Sequence, residues 1–119
     1  ARTAILNHSI NCTGHNVDLA HAVGVSWEQL DLLDGDGWRE SDLFSEKEKA
    51  VIHWSDEVSH QGAYDNDAAF EELTRYFTTR QVVELTFLCC MWTLSGRLTE
   101  AFHLMVEPPD GRIGFGCSV

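Results

Sequence analysis

Basic residues are scarce in this chain. Eight Lys and Arg stand against 19 Asp and Glu, a net charge of −11 over 119 residues. That balance argues against a nucleic-acid or anionic-membrane partner, since both need a basic patch. Long apolar runs are also missing: none approaches the ~18 residues of a membrane span. The basic and apolar regions of a signal peptide are not seen. Cysteine is limited to Cys12, Cys89, Cys90 and Cys117. Their spacing suits neither a disulfide framework nor a zinc site built on two-residue gaps. Free thiols in a reducing compartment, the cytoplasm, are the expectation. No strand pattern of any length appears, and there are no repeats or low-complexity segments.

What is present points to helices. Hydrophobic residues make up 44% of the chain, enough for one packed domain over residues 1–119. The sequence opens inside an apolar run, Ala4-Ile5-Leu6, so earlier helices of the natural protein are expected to be missing. Asn7 to Ser9 can break this first helix, and Ser9 then caps a second one running to about Val23, with Gly24 as its C-cap. Its expected inner face is Cys12, His15, Leu19 and Val23. Three capping boxes follow, Ser26 with Gln29, Ser45 with Glu48, and Thr78 with Gln81. Asn66 or Asp67 starts a further helix with Ala69, Phe70, Leu73 and Phe77 inward. Asp34-Gly35-Asp36-Gly37 reads as a turn, because it lacks the ligand ladder and closing Glu of a calcium loop.

The last helix is expected over about 80–105 and is apolar all round, from Val82 to Leu94. Such a helix is buried in the domain or at a subunit interface. Cys89 and Cys90 point about 100° apart, so they cannot share one site. Trp54 and Trp92 read as core. Pro108 and Pro109 end helical structure, and the Gly-rich tail beyond is not helix. The fold class is all-α, a compact multi-helix bundle with a long buried C-terminal helix.

Reactive residue types converge at one place, Ser9 to Asn16. Cys12 lies in the first turn of a helix, where the macrodipole favours thiolate. His15 is three residues on, on the same face, and fits the role of base or cation beside the thiol. The competing structural reading makes Cys12 a small buried hydrophobe and His15 a surface residue. Asp18 is placed to orient His15, though such a residue is more often solvated. His8, Cys12 and His15 lack a fourth ligand, so no metal or other cofactor is expected. His21 and His103 read as packed or surface histidines.

Leu19-Ala20-His21-Ala22-Val23-Gly24-Val25-Ser26, the Trp27–Leu33 helix, Trp38-Arg39, Phe44-Ser45-Glu46-Lys47-Glu48 and Val82-Val83-Glu84-Leu85 resemble the carboxymuconolactone decarboxylase and alkylhydroperoxidase D-like (AhpD-like) superfamily. The resemblance covers residues 2–107. The family motif is Cys-x-x-Cys-x-x-x-His. Its second cysteine falls on Cys12, its first on Ser9, and its histidine on Asn16, one position after His15. The resemblance implies an AhpD-like bundle assembled as a homotrimer or hexamer with itself, and a site at Cys12, His15 and Ser9. It implies an antioxidant oxidoreductase with a peroxiredoxin-type reaction on a small-molecule substrate. The reductant is then a small-molecule thiol, a thiol of another subunit, or Cys117, and a proton-relaying glutamate would precede Ala1. Two alternatives stay open. One is a decarboxylase or lactone-acting enzyme using His15 and Ser9 on a small acidic ring, with Arg80 or Arg97 as the cation. The other is a binding protein that keeps only the fold.

Overall fold

The computed structural model describes residues 1–108 and contains six helices over that span. They are α1 (Arg2–Leu6), α2 (Ile10–Ala22), α3 (Trp27–Leu32), α4 (Glu46–Ser59), α5 (Asp67–Thr74) and α6 (Thr79–Ala101). No strand occurs among the described residues. All three capping boxes form, at Ser26, Ser45 and Thr78, and Asn66 caps α5. In each box the N-cap side chain accepts from the N3 amide while the N3 side chain accepts from the N-cap amide, which satisfies two helix-end donors at once. The Gly-rich tail and Cys117 lie outside the described residues.

Helix ends are where the structure departs most from expectation. α6 stops at Ala101, short of 105. His103 takes a left-handed conformation (φ 52) and donates to Glu100 O, while the Leu104 amide donates to Thr99 O at 2.9 Å. That is the Schellman pattern, which closes a helix by turning the chain back on its last carbonyls. The same pair of bonds ends α1 at His8 (φ 52) and α4 at Gln61 (φ 61). Glycine performs this turn after α2, at Gly24 (φ 104). At the other three ends a side-chain-bearing residue does so.

Two apolar clusters form the interior. Leu30, Leu33, Trp38, Phe44 and Ile52 pack under α3 and the following loop. Ala50, Trp54, Ala69, Leu73 and Val82 join α4, α5 and the start of α6. α6 is buried along one face only, at Val82, Cys89 and Gly96. Its other face leaves Val83, Phe87, Leu94 and Leu98 at least half exposed. Leu19 and Val23 of α2, expected inward, are exposed as well, and Phe70 of α5 is half open while tilting against Trp54. The apolar faces on α2 and α6 therefore exceed what the described residues cover.

A buried ion pair locks the short α1 to this frame. The Arg2 guanidinium donates Nε and Nη2 to the two carboxylate oxygens of Asp56 at 2.6 and 2.9 Å, and Nη1 to the carbonyls of Leu33 and Gly35. Arg39 reaches the same carboxylate at 3.4 Å and lies over the Trp38 ring. Arg2 and Asp56 are both buried, so removing one partner strands the other charge. Asp56→Ala is therefore expected to cost about 3–5 kcal/mol in denaturant unfolding. A loss below about 1 kcal/mol, the worth of an exposed pair, would show that the fork does not hold α1 in place.

Candidate functional site

The start of α2 is pressed against α6. The left-handed turn at His8 closes α1 and sets Ser9 as the N-cap, where its hydroxyl accepts the Cys12 amide at 3.2 Å. The Ser9 Oγ also meets Thr99 Oγ1 at 2.9 Å, and Thr99 donates to Gly96 O at 3.0 Å. Thr99 has a single hydroxyl proton, so with that donation in place Ser9 is the donor of the shared bond. A Cβ on Gly96 would stand 3.3 Å from Ser9 Cβ and 3.4 Å from Asn7 Cβ. The absence of a side chain at Gly96 lets the two helices approach this closely. At the first turn the Ile10 amide donates to Glu100 Oε1 at 2.9 Å, so α6 supplies a second cap.

This contact carries Cys12 into place. Its residue is 2% exposed, and its Sγ lies 3.4 Å from Ser95 Oγ and 3.8 Å from Thr99 Oγ1. No other partner is recorded for the Ser95 hydroxyl among the described residues, which leaves its proton available to the sulfur. Burial pushes the Cys12 thiol up. Side-chain contacts with Ser9, Ser95 and Thr99, of which Ser95 has its proton free for the sulfur, outweigh that, Glu100 opposes them through its charge, and the thiol is lowered from its ordinary value. Cys12 lines a cavity of about 200 Å³ together with Asn11, His15, Asn16, Leu19, Trp92 and Ser95. The walls mix two apolar side chains with amides, an imidazole and the thiol.

The three residues singled out in the sequence come together, but in different capacities. Ser9 is fully buried and occupied as a cap, so it holds the site and does not face the cavity. Asn16, at the family's histidine position, is buried and donates its side-chain amide to Cys12 O at 2.8 Å. His15 borders the cavity, yet its nitrogens are turned elsewhere. Nδ1 is 2.9 Å from Asn11 O, and Nε2 is 2.7 Å from Glu107 Oε2. Both nitrogens face oxygen atoms of other residues and neither faces the sulfur. His8 is exposed and borders a different hollow with Ser9 and Thr13, so His8, Cys12 and His15 do not form one cluster. No three His, Cys, Asp or Glu side chains among the described residues are placed to share a metal ion.

Four residues were missed. Trp92, read as core, is a cavity wall. Ser95 and Thr99 are the hydroxyls on the thiol, and Glu107 is a carboxylate on His15. A signal for two of them exists in the sequence: Ser95, Gly96 and Thr99 interrupt an otherwise apolar helix at spacings that share one face. Cys89 is buried with its thiol 3.6 Å from Ser55 Oγ, while Cys90 is exposed, as their angular separation required. Arg80 pairs with Glu84 at the far end of α6, and neither Arg80 nor Arg97 lines the cavity.

The signs of these contacts predict how Cys12 titrates. Only thiolate is alkylated, so a lowered thiol stays reactive further into the acid range than an ordinary cysteine near ~8.5. Ser95→Ala removes a donor to the sulfur and is expected to raise the midpoint of the alkylation rate against pH. Glu100→Gln removes an opposing charge and is expected to lower it. Peptide-resolved mass spectrometry of Cys12 alkylation checks both, and movement of either midpoint in the opposite direction contradicts the assignment.

No family model matches the chain. An uncharacterized protein of Escherichia coli (strain K12), YnjA, is 27% identical over 92 residues, which are 77% of this chain and 49% of that protein. The chain thus spans about half the length of the curated relative it matches. Among solved structures, a protein of unknown function from Agrobacterium tumefaciens, proposed as the antioxidant defence protein AhpD, aligns with a TM-score of 0.81. It is 26% identical, and the alignment covers 90% of this chain and 73% of that one. The six helices and this agreement over most of their length show that the chain has an AhpD-like fold.

Proposed function

We propose that the chain is an alkylhydroperoxidase-like antioxidant oxidoreductase with Cys12 as its peroxidatic thiol. The observation that carries this reading is the Cys12 sulfur at a small cavity with the Ser95 and Thr99 hydroxyls beside it and its thiol lowered. The thiolate attacks one oxygen of a hydroperoxide. The S–O bond forms as the O–O bond breaks, and the alkoxide leaves with a proton from solvent as the alcohol. Cysteine becomes sulfenic acid and the peroxide is reduced. A thiol then condenses with the sulfenic acid, releasing water and leaving a mixed disulfide, and a second thiol restores Cys12. The apolar Leu19 and Trp92 walls and the volume of about 200 Å³ suit a small alkyl hydroperoxide.

Ser9 replaces the first cysteine of the family motif, so no internal Cys-x-x-Cys cycle operates. No thiol among the described residues contacts Cys12, and the reading takes its resolving thiol from a small molecule, from another subunit or from Cys117. A thiol-dependent cycle belongs in a reducing compartment such as the cytoplasm. No described helix is long and apolar enough to cross a membrane. Self-assembly as a homotrimer or hexamer is part of the same proposal, and the exposed apolar face of α6 is suited to it. The decarboxylase-like alternative draws less support, because Ser9 is spent as a cap and both His15 nitrogens are engaged.

Reduction of an alkyl hydroperoxide with a thiol reductant tests the proposal. The expected result is turnover in the wild type and at least ~100-fold less in Cys12→Ser, in line with loss of an essential nucleophile. Equal activity in the two proteins, or none in either, overturns it.

A further inference from the structure

The segment after α6 runs back along the first turns of α2 and is fixed there at three consecutive residues. Met105 O accepts the Asn11 side-chain amide at 2.8 Å. The two methyls of Val106 sit where a Cβ on Gly14 would come to 3.0 Å, so the bare backbone at Gly14 seats them. Glu107 takes His15 Nε2 at 2.7 Å. Asn11 and His15, the two polar anchors, are also walls of the Cys12 cavity. The strap therefore acts on the cavity from behind, through the side chains it holds.

We propose that Glu107 is a positioning residue that latches His15 away from the Cys12 thiol, so that the segment 104–108 restrains the site in its resting state. With Nδ1 on Asn11 O and Nε2 on Glu107, His15 has no nitrogen left to take a proton from the thiol or to hold its thiolate. His15 and Cys12 are three residues apart on one helix face, so a change of ring rotamer is enough to bring a freed Nε2 toward the sulfur. Release of the carboxylate converts a thiol held by hydroxyls alone into a thiol with an imidazole partner. The exposed position of Glu107 makes the contact weak enough to exchange, and a ligand or partner that competes for the strap would govern it. The functional consequence rests on Cys12 being the reactive thiol. The geometry of the latch does not.

Alkylation of Cys12 by iodoacetamide, read by peptide-resolved mass spectrometry at neutral pH, tests this on the full chain. It registers thiol reactivity whether or not the protein reduces peroxides, so failure here is distinguishable from failure of the peroxidase reading. Glu107→Gln is expected to raise the Cys12 rate several-fold, Glu107→Asp to stay near wild type because the strap can carry a shorter carboxylate to the ring, and the double variant Glu107→Gln with His15→Ala to lose the gain. Thermal melting of each variant confirms that it is folded. An unchanged or slower rate in Glu107→Gln overturns the latch. A gain that persists in the double variant also overturns it, because the strap would then act as a cover and not through His15.

Discussion

The approach of Ser9 to Thr99 across the gap left by Gly96 is the contact on which the site depends. It joins the start of α2 to the end of α6, residues 90 positions apart in sequence, through a hydroxyl pair at 2.9 Å. Ser9 is fully buried there, so its polar atoms must be satisfied internally, and they are, by Thr99 and by the Cys12 amide. Once Ser9 is fixed, the first turn of α2 has one orientation, and the Cys12 sulfur falls beside Ser95 and Thr99. A Cβ at position 96 would stand 3.3 Å from Ser9 Cβ, tighter than ordinary packing, so the Ser9 end of α2 would have to shift to admit it. The buried Arg2–Asp56 fork supports this from behind by pinning α1, which leads directly into Ser9.

The site holds one thiol among the described residues. Ser9, three residues before it, is committed to capping, and the hydroxyls that contact the sulfur come from α6. Ser95 thereby offers the sulfur a donor at a fixed position, and a hydrogen bond to the charged form favours it. Burial works against the lowering first and Glu100, which also caps Ile10, second, so the state of the thiol is a balance of these two against its hydroxyl neighbours.

Local signals in the sequence located most of the frame. The capping boxes at Ser26, Ser45 and Thr78, the caps at Ser9 and Asn66, and the all-helical class need only neighbours within a turn, and these agree with the structure. The end of α6 at His103 was not legible, because a left-handed residue other than glycine carries no compositional mark, whereas Asn7 to Ser9 marked the end of α1. Periodicity alone turned Leu19 and Val23 inward where the chain leaves them exposed, and on α6 it identified apolar faces without saying what covers them. At the site, Cys12 was readable from its place in a helix start. Ser95, Thr99 and Glu107 reach it from more than 80 residues away, and only the fold brings them there.

The central claim is that Cys12 is a thiol lowered by its hydroxyl neighbours and poised at a cavity. Direct titration measures this, as the ultraviolet thiolate absorbance of the wild type minus that of Cys12→Ser across pH. The account predicts a difference curve with its midpoint below the ~8.5 of an ordinary cysteine. A midpoint at or above that value would mean that burial prevails over the hydroxyls, and would leave Cys12 a structural residue.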